Sequence, residues 1–112
     1  MNPTTTEFLR RLPAPEIKPD GQTFLHNLTE TTVLKPSAGL VYRVTVLDVG
    51  TDGHLTLNNA STLEGANANN RIFNARYSDL KSGMVIVLKW LCAEGIVLSS
   101  VPTGGAVSIS LS

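Results

Sequence analysis

From Ala106 to Leu111 apolar and polar residues alternate strictly, with Val107, Ile109 and Leu111 set against Ser108, Ser110 and Ser112. A period of two belongs to a strand with one buried and one wet face. Such a face requires an antiparallel all-β domain to cover it. Two more apolar runs precede it, Met84 to Trp90 and Gly95 to Val101, separated by only a few residues. The last quarter therefore reads as three strands in succession. Gly39 to Val49 is the strongest strand of the first half, with Leu40, Tyr42, Val44 and Val46 on one face and Arg43 and Thr45 on the other. β-branched and aromatic residues dominate it, as a pleated, half-buried surface favours. Gly50 to Gly53 carries hairpin chemistry in Asp52-Gly53, and Leu55 and Leu57 alternate with His54, Thr56 and Asn58 in a short return strand. Ile72, Phe73 and Ala75 open another strand, and Gln22 to Asn27 and Glu30 to Lys35 are weaker candidates.

The sum is about eight short strands with turn signals every eight to twelve residues and no helix of ordinary length. The expected fold is all-β: an antiparallel β-sandwich or jelly-roll-like domain over residues 22–112, with an up-and-down barrel as the alternative. Residues 1–21 differ in kind. Four of the six prolines, Pro3, Pro13, Pro15 and Pro19, fall there, and Pro13-Ala-Pro15 favours an extended backbone that cannot donate to a sheet. Thr4 and Glu7 have capping-box spacing ahead of Phe8, Leu9 and Leu12, enough for a turn or two of helix. The segment reads as an extended, Pro-rich N-terminal arm. Either it frays, or it docks on a neighbouring subunit through Phe8, Leu9, Arg10, Arg11, Leu12, Pro13 and Pro15. Three large apolar side chains favour docking over a tail left in water.

Asn58 to Asn70 has no periodicity and is a long polar loop, of the length that compact domains reserve for function or mobility. Asn58, Asn59, Glu64, Asn67, Asn69 and Asn70 are expected to be exposed on it.

Composition supports one folded domain: 42% of the 112 residues are hydrophobic, enough for a modest core. Nine basic residues balance nine acidic ones, also region by region, so no basic footprint for nucleic acid or an anionic membrane exists. Only 16% is charged. Either the surface is polar but uncharged, or much of it meets other subunits, where charge is depleted. A single cysteine, Cys92, excludes an internal disulfide. The N-terminus lacks signal-peptide regions and no apolar run is long enough to span a membrane, so a reducing cytoplasm is the expected compartment.

Candidate chemistry is sparse. His26 and His54 sit on different strands without ligand-spaced partners, so no metal and no cofactor is expected. Asp48 and Asp52 flank a turn, and turn hydrogen bonding accounts for both. The Asn-rich loop with Glu64 has too few carboxylates for a calcium site. Cys92 lacks a positioned base and reads as a small buried hydrophobe. Trp90 ends the run Met84, Ile86, Leu88 and is expected in the core rather than as a stacking platform. Only 5% of residues are aromatic, which argues against a base- or sugar-stacking surface. No catalytic residue emerges, and the chain does not read as an enzyme.

Leu34-Lys35-Pro36 with Gly39, the strand containing Val44 and Val46, Trp90 and Cys92 followed by Gly95-Ile96-Val97, and Gly104-Gly105 before the alternating last strand form one outline. In it the chain, over roughly residues 31–112, resembles small β-sandwich structural proteins of tailed bacteriophages, although that family usually carries Pro where Leu91 stands. The resemblance implies a virion component assembled in the host cytoplasm. The job it suggests is head decoration, or cement: a homo-oligomer, commonly a trimer, that binds the major capsid protein of the assembled shell and stabilises it. An N-terminal arm commonly clasps the shell in such proteins, and the 58–70 loop would face outward. The alternative is a head-fibre or tail-associated module that recognises a host-surface glycan through that loop.

Overall fold

The computed structural model describes residues 23–112, and eight strands account for most of them. The arm, and with it every anchor named from Phe8 to Pro15, lies outside the described residues. The strands are β1 (Thr23–Leu28), β2 (Thr32–Lys35), β3 (Gly39–Asp48), β4 (His54–Asn58), β5 (Arg71–Arg76), β6 (Val85–Cys92), β7 (Ile96–Ser100) and β8 (Ala106–Leu111). They form two antiparallel four-stranded sheets. Sheet A has the order β1-β8-β3-β6 and sheet B the order β2-β7-β4-β5. Every connection except β4 to β5 passes from one sheet to the other. This is jelly-roll topology, and the up-and-down barrel alternative falls away.

The same topology corrects one local expectation. Residues 50–53 do not close a hairpin, because β3 belongs to sheet A and β4 to sheet B. They turn a corner between sheets. Gly50 sits at φ 74° with its Cα so close to β8's lead-in that a Cβ would lie 2.4 Å from the Thr103 carbonyl oxygen. Only glycine fits that conformation and that approach. The last quarter does form three successive strands, β6, β7 and β8, and each crosses to the opposite sheet.

The core lies between the sheets. Val41, Val44 and Val46 of β3 and Val107, Ile109 and Leu111 of β8 meet Leu55 and Leu57 of β4 and Ile96 and Leu98 of β7, with Phe73 and Ala75 of β5 packed against them. Each fully buried Leu or Ile contributes about 1.5–3 kcal/mol of hydrophobic stabilisation. The inner row of β8 is the one the alternation marks. The inner row of β3 is not. Val41 is buried and Tyr42 is not, because an extra residue between Val41 and Arg43 shifts the register against β8. A bulge of this kind moves every later side chain to the other face of the count.

Sheet A's outer face holds two further departures. Ser108 and Ser110 were expected to be wet, yet they are only 1% and 3% exposed. β8 is an interior strand, so each serine sits between larger residues. Ser110 pairs across to Phe24 on one side and Arg43 on the other, and Ser108 pairs with Thr45. Ser108 Oγ lies 2.6 Å from His26 Nδ1 and accepts the Asn27 amide at 3.3 Å. Asn27 is at φ 57°, a left-handed conformation that Asn tolerates. Trp90 was expected in the core but is 52% exposed. Lys89 before it is also left-handed, at φ 49°, where β6 carries one more residue than β3 between the Val41–Trp90 and Arg43–Val87 pairs. That bulge interrupts the alternation of Ile86 and Leu88 before it reaches the indole.

Candidate functional site

The two outer faces differ in chemistry. Among the described residues seven large apolar side chains are exposed: Phe24, Leu47, Leu63, Val85, Val87, Trp90 and Leu91. Six of them, all but Leu63, belong to strands of sheet A, and none belongs to sheet B. Phe24, Ser110, Arg43 and Val87 pair in one row across all four strands of sheet A. In the next row Val85 pairs with Thr45 and Thr45 with Ser108, beside His26. Phe24 stacks on His26 with ring centroids 5.9 Å apart. The outer face thus sets Phe24 and His26 of β1 and Val85 and Val87 of β6 on either side of Ser108, Ser110, Arg43 and Thr45. β6 is also an edge strand, continuing past its bulge into Trp90 and Leu91, the latter 67% exposed. Among the described residues that edge is unpaired, and exposed apolar side chains on a strand edge are a feature by which domains can associate.

Sheet B is polar outside, and the loop from 59 to 70 folds over it. A cleft of about 340 Å³ opens between them. Thr56 and Asn58 of β4 form its floor, Asn74 and Arg71 of β5 one side, and Ser99 and Ser100 of β7 the other, with Ala66 and Asn67 of the loop at the rim.

Asparagine side chains build the loop. Asn58 is 1% exposed, so it is not the surface residue expected. It ends β4 with its side chain under the loop. Its Nδ2 donates to the Asn67 carbonyl at 2.8 Å and to Asn70 Oδ1 at 2.7 Å, while its Oδ1 accepts from Ser99 Oγ. Asn67 caps a one-turn 3-10 helix, Ala68–Asn70, by accepting the Asn69 amide at 2.8 Å, and Asn70 Oδ1 accepts the Asn67 amide at 3.0 Å. Asn70 Nδ2 reaches the Gly65 carbonyl, and Asn59 Oδ1 accepts the Glu94 amide, both at 2.8 Å. Asn59 and Asn70 are thus half-buried and structural, whereas Glu64, Asn67 and Asn69 are exposed. The i, i+3 spacing of Asn67 and Asn70 is that of a capping box, a signal the sequence carries in plain view.

The remaining candidates are scattered. His26 belongs to sheet A and His54 to the rim of the sheet B cleft. Asp48 accepts the Gly50 amide at 2.9 Å, as turn chemistry requires. Cys92 is buried, and desolvation raises its thiol above 9.0, its ordinary value, so thiolate is disfavoured. Among the described residues no three His, Cys, Asp or Glu side chains gather as a metal centre would need. No family model, curated protein or solved structure matches the chain. Its chemistry has to be read from these two faces. One is apolar and set on an open sheet edge. The other is concave, rich in amides and hydroxyls, and walled by a loop held in place from within.

Proposed function

We propose that the protein is a structural component of a tailed-bacteriophage particle, a head decoration subunit that lies on the assembled shell and contacts its major capsid protein. The observation that carries this reading is the one-sided distribution of exposed apolar residues: Phe24, Val85, Val87, Trp90 and Leu91 gather on sheet A and its β6 edge. Patches of this kind on a small domain serve association. The resemblance over residues 31–112 and the low charge of the chain support the same reading. Sheet A meets the capsid protein, sheet B with its loop faces outward, and the subunits self-associate, with a trimer favoured. The protein acts by adding contacts across junctions of the shell, so it needs no catalytic group.

The test is co-sedimentation with purified expanded shells of the phage that encodes the protein. The wild-type chain should saturate a fixed number of sites. The double variant Val87→Asp, Leu91→Asp should keep its thermal unfolding midpoint and lose at least tenfold in affinity, because two charges would be desolvated against an apolar partner. Shell binding that is unchanged in this variant would sink the proposal. The same assay on a chain lacking residues 1–21 measures what the arm adds.

A further inference from the structure

We propose that the cleft on the outer face of sheet B is a binding site for an acidic saccharide, independent of the shell-facing surface on sheet A. Its volume, about 340 Å³, lies at the lower end of small-molecule sites. It is open enough to take one sugar ring and let a chain continue out of it. The floor is the unusual part. Thr56 and Asn58 are polar, lie on the outer side of a sheet, and are nonetheless buried, Thr56 bonded to Asn74 and Asn58 to the loop.

The hydrogen bonds already made there leave a defined remainder. Thr56 Oγ1 gives its proton to Asn74 Oδ1 at 2.7 Å, which orients that amide and leaves its Nδ2 protons uncommitted among the described residues. Ser99 Oγ donates to Asn58, and Ser100 Oγ donates to the His54 carbonyl at 2.7 Å. Both hydroxyls therefore offer lone pairs to whatever enters. Acceptors from Thr56, Ser99 and Ser100 beside donors from Asn74 match the alternating donor and acceptor character of sugar hydroxyls. Arg71 supplies the charge. No Asp or Glu lines the cleft, and its guanidinium makes no ion pair or hydrogen bond among the described residues. A planar, bidentate donor of this kind fits a carboxylate. No Phe, Tyr or Trp lines the cleft and His54 stands at its rim, so recognition runs mainly through hydrogen bonds and charge rather than stacking. A single site would bind in the millimolar range, and many copies on one particle would convert that to useful avidity. The loop wall is held by the Asn58, Asn67 and Asn70 bonds, so little ordering remains to oppose binding.

The experiment is an NMR titration of the full chain with the methyl glycosides of glucuronic acid and N-acetylneuraminic acid, with methyl galactoside and acetate as comparisons. Amides of residues 54–58, 71–74 and 97–100 should shift with an acidic glycoside. Arg71→Ala should weaken that binding at least tenfold and Arg71→Lys less. Arg71 is exposed on an edge strand, so both variants should melt with the wild-type protein. Equal affinity for methyl galactoside, an unchanged Arg71→Ala titration, or acetate alone producing the same shifts at the same concentration would each overturn the proposal.

Discussion

Replacing Asn58 with alanine is the sharpest probe of how loop 59–70 is held. The substitution deletes three hydrogen bonds, to the Asn67 carbonyl, to Asn70 Oδ1 and from Ser99 Oγ. At about 1 kcal/mol net apiece the loss is about 3 kcal/mol. Asn67 is exposed and Asn70 and Ser99 are half-exposed, so water can return to all three partners. With every partner open to water the cost falls toward the low end of the range for three such bonds, about 2 kcal/mol. For a domain of this size that lowers the unfolding midpoint by roughly 8–16 °C. Circular dichroism melting gives the number, and hydrogen exchange of the amides from 63 to 70 shows whether the loop lifts before the sandwich melts. Asn69→Ala is the matched control: only its backbone amide is engaged, so it should stay within about 0.5 kcal/mol of wild type. A drop under about 2 °C for Asn58→Ala, or loop amides as protected as in wild type, would refute the account of the loop as pinned by that side chain.

Two other substitutions and one pH series follow from the same geometry. Gly50→Ala should cost about 2–4 kcal/mol in urea unfolding, from strain at φ 74° plus the contact with the Thr103 carbonyl, while Gly83→Ala, at φ 88° with open space around it, should cost about 1 kcal/mol. Cys92 should resist alkylation by iodoacetamide in the native protein and react at once in denaturant. Its folded value is raised, so the unfolded chain ionises first. The stability tied to the neutral thiol is fully present below pH 9.0 and is lost as pH climbs above it, a trend that Cys92→Ala should abolish in melts across that range.

The strands were legible in the sequence, but their partners were not. Val107, Ile109 and Leu111 announce β8 because alternation is a local property of the chain. Whether the opposite row is wet depends on the neighbours, and β8's neighbours are β1 and β3, far away in sequence. That is how Ser108 and Ser110 came to be covered. Tyr42 and Trp90 fail for a second reason. Single extra residues at Tyr42 and Lys89 shift the phase, and nothing in the residue types there marks a bulge. Asp52-Gly53 marks a turn correctly, yet turn chemistry does not say whether the chain returns to the same sheet or crosses. The cleft was invisible as a site, since His54, Arg71, Asn74 and Ser99 meet only through sheet B pairing. Its loop was half legible: the asparagines stood out, but not that they bond mainly to one another.

The place of β8 has a consequence for synthesis. It is translated after the other seven described strands, and it lies inside sheet A between β1 and β3. Until residues 106–111 have left the ribosome, β1 lacks its partner in sheet A and β3 has only β6, so one edge of β3 stays open. Pairings this distant in sequence make folding slow, on the scale of milliseconds to seconds. They also make it all-or-none with respect to length. A chain broken off before Ala106 would expose two unmatched strand edges and go to aggregates or proteases rather than to assembly. The topology thereby acts as a length check, admitting only chains read through Leu111.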